Sequence, residues 1–288
     1  MATLKGHLIR LAKRNRDGSE SRQAQRLKQC IMIGETLRQK GYKLNHPRGL
    51  KEKHIKVLLQ DWKEKKLSPG TIKNYLASAR WWAEKIGKPH IIPKSNDALG
   101  VERRQYITNE DKSRSLESHK LDQIKDIHIK TSLQLQQQFG LRREEALKFQ
   151  PRYADKGHKI VLKDSWCKGK RAREIPITTK QQRQLLDQAK QLAPRGSLIP
   201  AGRSYIQQLR LYERETRRVG LSKMHGLRHA YIHNRYHAIT GWKAPAKGGP
   251  KRTELTPEQR QIDHAARLII PHETGHNREE ITAVYLGR

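Results

Sequence analysis

Apolar side chains recur at helical spacing through much of the chain. Over residues 22–40, Leu27, Cys30, Ile31 and Leu37 fall on one face, and Gly41 stands where a helix would stop. A second stripe, over residues 50–65, runs through Ile55, Leu58, Leu59 and Trp62. The third is the clearest: Ser68 is placed to cap it, Pro69 suits a first helical turn, and Ile72, Tyr75, Leu76, Ala79 and Trp82 form one apolar stripe ending near Ile86. These stripes predict a small helical domain over residues 21–95, preceded by a basic arm over residues 1–20.

After Gly87 the text becomes irregular, with Pro89 and Pro93, and predicts a linker over residues 96–110. The pattern is then helical from about Asp111 to Phe149, after which its period changes. Residues 158–163 and 173–178 predict two short strands joined by a basic loop, and helices resume over residues 179–193 and 204–219. Residues 240–252 are the densest in Gly, Pro and Lys and predict a flexible basic loop. The expected fold class is mainly α with a small β-sheet (α+β), in two domains.

The 288 residues, 34% of them hydrophobic, suffice for two modest cores. Charge changes the picture more: 61 Lys and Arg stand against 28 Asp and Glu, a net +33, which points to a polyanionic partner. Nucleic acid outranks a membrane surface, because no stretch approaches the roughly 20 apolar residues of a spanning helix and the start does not resemble a signal peptide. That start carries Lys5, Arg10, Lys13, Arg14 and Arg16, the composition either of a solvated, disordered arm or of a phosphate-contacting one. Opposite the apolar stripe of the third helix lie Lys73, Asn74 and Arg80, candidates for contact with a DNA backbone. Cys30 and Cys167 are the only cysteines, which argues against a disulfide framework and fits a reducing cytoplasm.

Short motifs sharpen this. In order along the chain stand Gly140-Leu-Arg142-Arg-Glu-Glu145, the loop Lys168-Gly-Lys-Arg-Ala-Arg-Glu-Ile-Pro176, His225-Gly-Leu-Arg228-His229, Gly275-His276 and, nine positions on, Tyr285. Together they resemble the signature of the tyrosine recombinases, the phage integrase family, over roughly residues 110–288. The helical N-terminal part is similar in kind to the family's core-binding domain. The resemblance implies a catalytic domain over residues 111–288, with an insertion near residues 240–262, and two domains that clamp a duplex from opposite sides.

It also implies an enzyme: a site-specific DNA recombinase that cleaves and rejoins strands through a 3′-phosphotyrosyl intermediate, integrating or excising a mobile element. Breaking a phosphodiester requires a nucleophile, neutralisation of the charge growing on the non-bridging oxygens, and a proton for the departing oxygen. By resemblance, Tyr285 is the nucleophile, and its phenol, with an ordinary pKa of about 10, needs a base and a cationic site to ionise. Arg142 and Arg228 are the phosphate clamp, suited to planar guanidinium groups with paired donors. His225 and His276 donate hydrogen bonds to the phosphate or assist proton transfer. Lys168 protonates the leaving 5′ oxygen, Glu145 orients Arg142 through an ion pair, and His229 supports the packing of the site. Lys170, Arg171 and Arg173 on the loop are expected to meet DNA.

Because the tyrosyl linkage conserves the phosphoester, the expected chemistry uses no cofactor, neither ATP nor metal. The four-residue spacing of His225, His229, His233 and His237 raises a zinc site, but Gly226 stands where an HExxH hydrolase needs Glu, and His233 and His237 are expected to face solvent or DNA. The partners expected are double-stranded DNA bearing a specific site, three further copies of the chain on that DNA, and accessory DNA-bending proteins, with no membrane. Three features depart from the family pattern. Thr274 replaces the usual Leu, the connection from Arg228 to His276 is long, and only Leu286, Gly287 and Arg288 follow Tyr285, so control of the tetramer is expected to come from something other than a C-terminal helix. Alternatives with the same chemistry are an Xer-like resolvase or a type IB topoisomerase-like enzyme. A non-catalytic DNA-binding regulator is the alternative from another class.

Overall fold

A computed structural model describes residues 3–167, 169, 171–276 and 279–288. It divides into two compact units, Met1–Gln105 and Tyr106–Arg288. The first is all helical: α1 (Leu4–Arg14), α2 (Glu20–Gln39), α3 (Glu52–Glu64) and α4 (Pro69–Lys85). Ser19 and Ser68 accept backbone N–H groups at the starts of α2 and α4, and Pro69 fills the first turn of α4 as its fixed φ allows. Leu8, Ile33, Leu37, Leu58, Trp62, Leu76 and Trp82 meet in one core.

Two expectations about this unit need correction. The basic start is no free arm: Leu8 is fully buried, so α1 folds onto the unit while its cations stay on the outer side. The stretch from residue 96 is no simple linker either, because Val101 also enters this core.

The second unit contains α5 (Ser118–Asp122), α6 (Ile127–Phe139), α7 (Arg143–Leu147), α8 (Pro151–Ala154), strands β1 (Lys159–Leu162) and β2 (Arg173–Pro176), then α9 (Lys180–Leu192), α10 (Tyr205–Arg218), α11 (Gly226–Thr240), α12 (Pro257–Thr274) and α13 (Glu279–Leu286). The strands pair antiparallel, Leu162 opposite Arg173 and Ile160 opposite Ile175. Thr179 and Ser204 cap α9 and α10 at the predicted boundaries. The expected helical run from residue 111 starts late, since residues 106–117 form no regular element and helix begins only at Ser118.

The core of this unit joins α6, α11 and α12 through Leu135, Phe139, Ile232, Tyr236, Ala266 and Ile270, and reaches Tyr285 and Leu286 on α13. The basic insertion is packed rather than loose: Ala244, Ala246 and Leu255 are buried. Among the described residues no helix is long and apolar enough to cross a membrane.

Candidate active site

Around Tyr285 of α13 stand His225 and His229 at the start of α11 and His276 after α12, with the start of α7 at the edge. Arg142 stands at the N-cap of α7, where the Glu145 carboxylate accepts its backbone N–H at 2.7 Å and its guanidinium at 2.8 Å. Three positions separate cap and acceptor, so one turn of helix fixes the side chain at the site's edge. Gly140, just upstream, has φ +59°, and a Cβ there would lie 2.5 Å from Tyr231, which is why this turn needs glycine.

Arg228, on α11, is 1% exposed. Its Nη1 donates to Gly140 O at 2.6 Å, while Nη2 donates to Thr274 O and lies 3.3 Å from His276 Nε2. A guanidinium carries five N–H donors, so these contacts leave donors to spare, and the buried Nε is one without a partner among the described residues. Burial pulls Arg228 down to about 10, with the charge of Arg142 adding to the effect, and it stays cationic at neutral pH.

The Tyr285 hydroxyl lies 3.3 Å from His225 Nε2 and 3.5 Å from His276 Nε2. The His229 ring packs against the Tyr285 ring at 4.5 Å between centroids. Burial and the neighbouring Arg228 and Arg142 push His276 down to about 3 and lower His225 as well. Both imidazoles are therefore neutral at pH 7. Because His276 Nε2 faces a guanidinium N–H, that nitrogen is the unprotonated one, and its single lone pair is shared between Arg228 and the phenol. An arriving phosphodiester would bring negative charge and raise both imidazoles.

Behind Arg142 sits a carboxylate with almost no exposure. Arg173 grips Glu145 with Nη1 at 2.9 Å and Nη2 at 2.6 Å, and its Nε donates to Glu273 O at 3.0 Å. Burial alone would raise Glu145, but the hydrogen bonds and charge of Arg173, with Arg142 and Arg228, hold it down to about 2. Beside the site, a cleft of about 650 Å³ is lined by Arg143, Tyr212, Arg217, Lys223 and His225.

The structure thus brings together Glu145, His225, Arg228, His229, His276 and Tyr285, with Arg142 on the rim through Glu145. Lys168 and Lys170 lie outside the described residues. Arg171 is exposed, and Arg143 forms a surface ion pair with Glu213 at 3.0 Å. Arg173 is corrected: it faces inward, because alternation along β2 puts it on the same side as buried Ile175. In the first unit Asn74 is exposed and Lys73 half-buried, whereas the half-buried Arg80 donates to Pro93 O and Asn96 Oδ1, both at 3.0 Å, and so braces the chain after α4. His233 is also corrected: it is buried, with Nε2 2.8 Å from Tyr285 O, while His237 is exposed. Among the described residues no three His, Cys, Asp or Glu side chains are arranged to hold a metal ion.

Two family models match the sequence: the phage integrase N-terminal domain over residues 1–92 and the integrase domain over residues 107–234. The chain belongs to the phage integrase family, the tyrosine recombinases, and is a site-specific DNA recombinase of that type. No curated protein is similar enough in sequence to count as a match. Among solved structures, a lambda integrase dimer bound to a COC′ core site aligns with TM-score 0.62 at 14% identity, covering 99% of this chain and 78% of that one. The Tn1549 transposon integrase in complex with circular intermediate DNA aligns with TM-score 0.55 at 13% identity, covering 100% and 96%. XerH recombinase bound to difH substrate aligns with TM-score 0.53 at 17% identity, covering 99% and 81%. At these identities the structural likeness speaks for the fold.

Proposed function

We propose that this recombinase breaks and rejoins DNA with Tyr285 as nucleophile, on a specific site in double-stranded DNA, to integrate or excise a mobile element. The observation that carries the proposal is the Tyr285 hydroxyl held between two neutral imidazoles, at 3.3 and 3.5 Å, one of which touches the buried Arg228 guanidinium.

In the forward step the Tyr285 oxygen bonds to phosphorus, its proton passes to His276 or His225, and the bond from phosphorus to the 5′ oxygen breaks. The spare donors of Arg228 and the outer face of Arg142 stabilise the charge on the non-bridging oxygens. Lys168 supplies the proton to the leaving 5′ oxygen. The product is a 3′-phosphotyrosyl ester, and a 5′ hydroxyl from a second strand reverses the step, so no ATP or metal enters. Two duplexes exchange four strands, which calls for four protomers on DNA, assisted by DNA-bending proteins, in a bacterial cytoplasm. Asn74, Lys73 and Arg171 remain candidate backbone contacts.

Incubation with a nicked suicide duplex carrying the junction sequence that flanks the coding gene tests the proposal. Wild type should yield a covalent protein–DNA adduct and Tyr285→Phe none. An adduct with both proteins, or with neither, would overturn the assignment of the nucleophile.

A further inference from the structure

The side chains that hold Tyr285 from behind play no part in the chemistry above. We propose that His233 and the Asp263–Arg267 pair are positioning residues that fasten the end of the nucleophile helix within its own subunit, with the basic insertion as the outer strap of that clamp. The proposal rests on Tyr285 being the nucleophile.

A helix as short as α13, eight residues, is not stable by itself, and its last carbonyls have no partner inside the helix. Here the Ala283 and Tyr285 carbonyls, and that of Gly287 just past the helix, are taken. His233 Nε2 lies 2.8 Å from Tyr285 O, and since a carbonyl only accepts, His233 carries its proton there. Its Nδ1 faces Asp111 Oδ1 at 3.6 Å. Arg267 Nη1 donates to Gly287 O at 3.1 Å, while its Nε rests on Asp263 at 2.8 and 3.0 Å. Asp263 accepts the Tyr236 hydroxyl at 2.6 Å, which in turn accepts the Trp242 indole N–H at 3.1 Å.

The insertion closes the clamp from outside. Gly287 has φ +80°, and a Cβ there would come within 2.9 Å of Ala246 N and 2.8 Å of Asn109 Oδ1. Asn109 Oδ1 also accepts the Arg288 N–H at 2.9 Å. His233, Asp263 and Arg267 are all buried. A buried ion pair is poor value as mere stabilisation, since an apolar pair of like volume would serve, so its worth here lies in fixing geometry. Geometry is what the nucleophile needs, because a displacement of about 1 Å can cost about 100-fold in rate.

The test combines amide hydrogen exchange over residues 280–288 with the adduct assay on the nicked junction duplex, for His233→Ala, His233→Gln and Trp242→Phe. Glutamine keeps an N–H that can reach the Tyr285 carbonyl. His233→Ala should speed exchange about 10-fold or more in that segment alone and slow adduct formation by a similar factor, with affinity for the duplex unchanged and His233→Gln recovering most of the loss. Unchanged exchange, a rise spread evenly over the whole unit, or slowing without rescue by Gln would overturn the clamp. Trp242→Phe, which removes one donor at the half-buried outer end, should give the same pattern more weakly and serves if His233→Ala does not fold. If wild type forms no adduct while the segment still loosens in His233→Ala, the nucleophile assignment fails and the clamp stands as an anchor of the helix.

Discussion

Replacing Arg173 with alanine separates two readings of a cationic loop. If Arg173 met a DNA phosphate, its loss would leave folding untouched and reduce the salt dependence of binding by about 0.9 in log–log slope. The structure predicts the opposite. The Arg173 side chain is 4% exposed and that of Glu145 1%, with nitrogen–oxygen contacts of 2.9 and 2.6 Å. Removing one member of such a buried pair leaves a desolvated carboxylate and costs about 3–5 kcal/mol. Arg142 stays on the carboxylate at 2.8 Å, which favours the lower end of that range. At roughly 2–4 °C per kcal/mol for a domain of this size, the melting midpoint of the second unit should fall by about 6–15 °C. Adduct formation should fall too, because Glu145 loses the partner that fixes it beneath Arg142. Calorimetry and DNA titrations at several salt concentrations check both arms, with Arg173→Lys expected to lie between wild type and alanine. A midpoint within a degree of wild type, together with a salt slope reduced by about one, would refute the buried-pair account.

Three further outcomes are expected. Gly140→Ala forces a side chain into φ +59° and a Cβ to 2.5 Å from Tyr231, and should cost at least about 2 kcal/mol in urea unfolding while displacing the carbonyl that Arg228 grips. Stability of the second unit should fall as pH drops from about 6.5 towards 4. Burial and neighbouring cations hold His229 at about 4 and His276 at about 3, below the unfolded value of about 6.5, so the unfolded chain binds more protons in that window. At pH 5 this amounts to at most about 2 kcal/mol for each imidazole, and Glu145, held at about 2, adds its own loss below about pH 4.5; thermal melts across pH 4–8 would show it. Arg80→Ala should leave the salt slope of DNA binding unchanged and destabilise the first unit by about 1–2 kcal/mol, read by denaturant unfolding, since both its hydrogen bonds stay inside the protein.

The site was legible because its chemistry restricts residue type within short segments. Glycine at 140, arginine at 142 and glutamate at 145 sit within six residues, and His225, Arg228 and His229 within about one turn of helix, so local spacing already fixes what each can touch. Less legible was what faces inward, for that is decided by elements far apart in the sequence. The one-face spacing of His225, His229 and His233 was visible, but only the packing of α13 on α11 makes that face a buried one. The apolar step from Leu4 to Leu8 to Leu11 was present under five cations, and the charge concealed a helix that the core then claimed. Arg173 carried a usable signal, period-two alternation with Ile175, which the surrounding positive loop outweighed.

That bias has a physical consequence of its own. A net charge of +33 invites every arginine to be taken as a DNA contact, yet Arg80, Arg173, Arg228 and Arg267 place their guanidinium groups on carbonyls and carboxylates of the protein itself. Among them Arg228 alone also has unspent donors at the site. The hydrogen bonds of the other three lie inside the protein, so counting every one of the 61 Lys and Arg as a phosphate contact overstates the salt slope. On the proposed function, Arg173 and Arg267 would act on DNA only through geometry: one holds the carboxylate beneath Arg142 and the other the Gly287 carbonyl beyond Tyr285, and so they would set where the Tyr285 oxygen meets the phosphate.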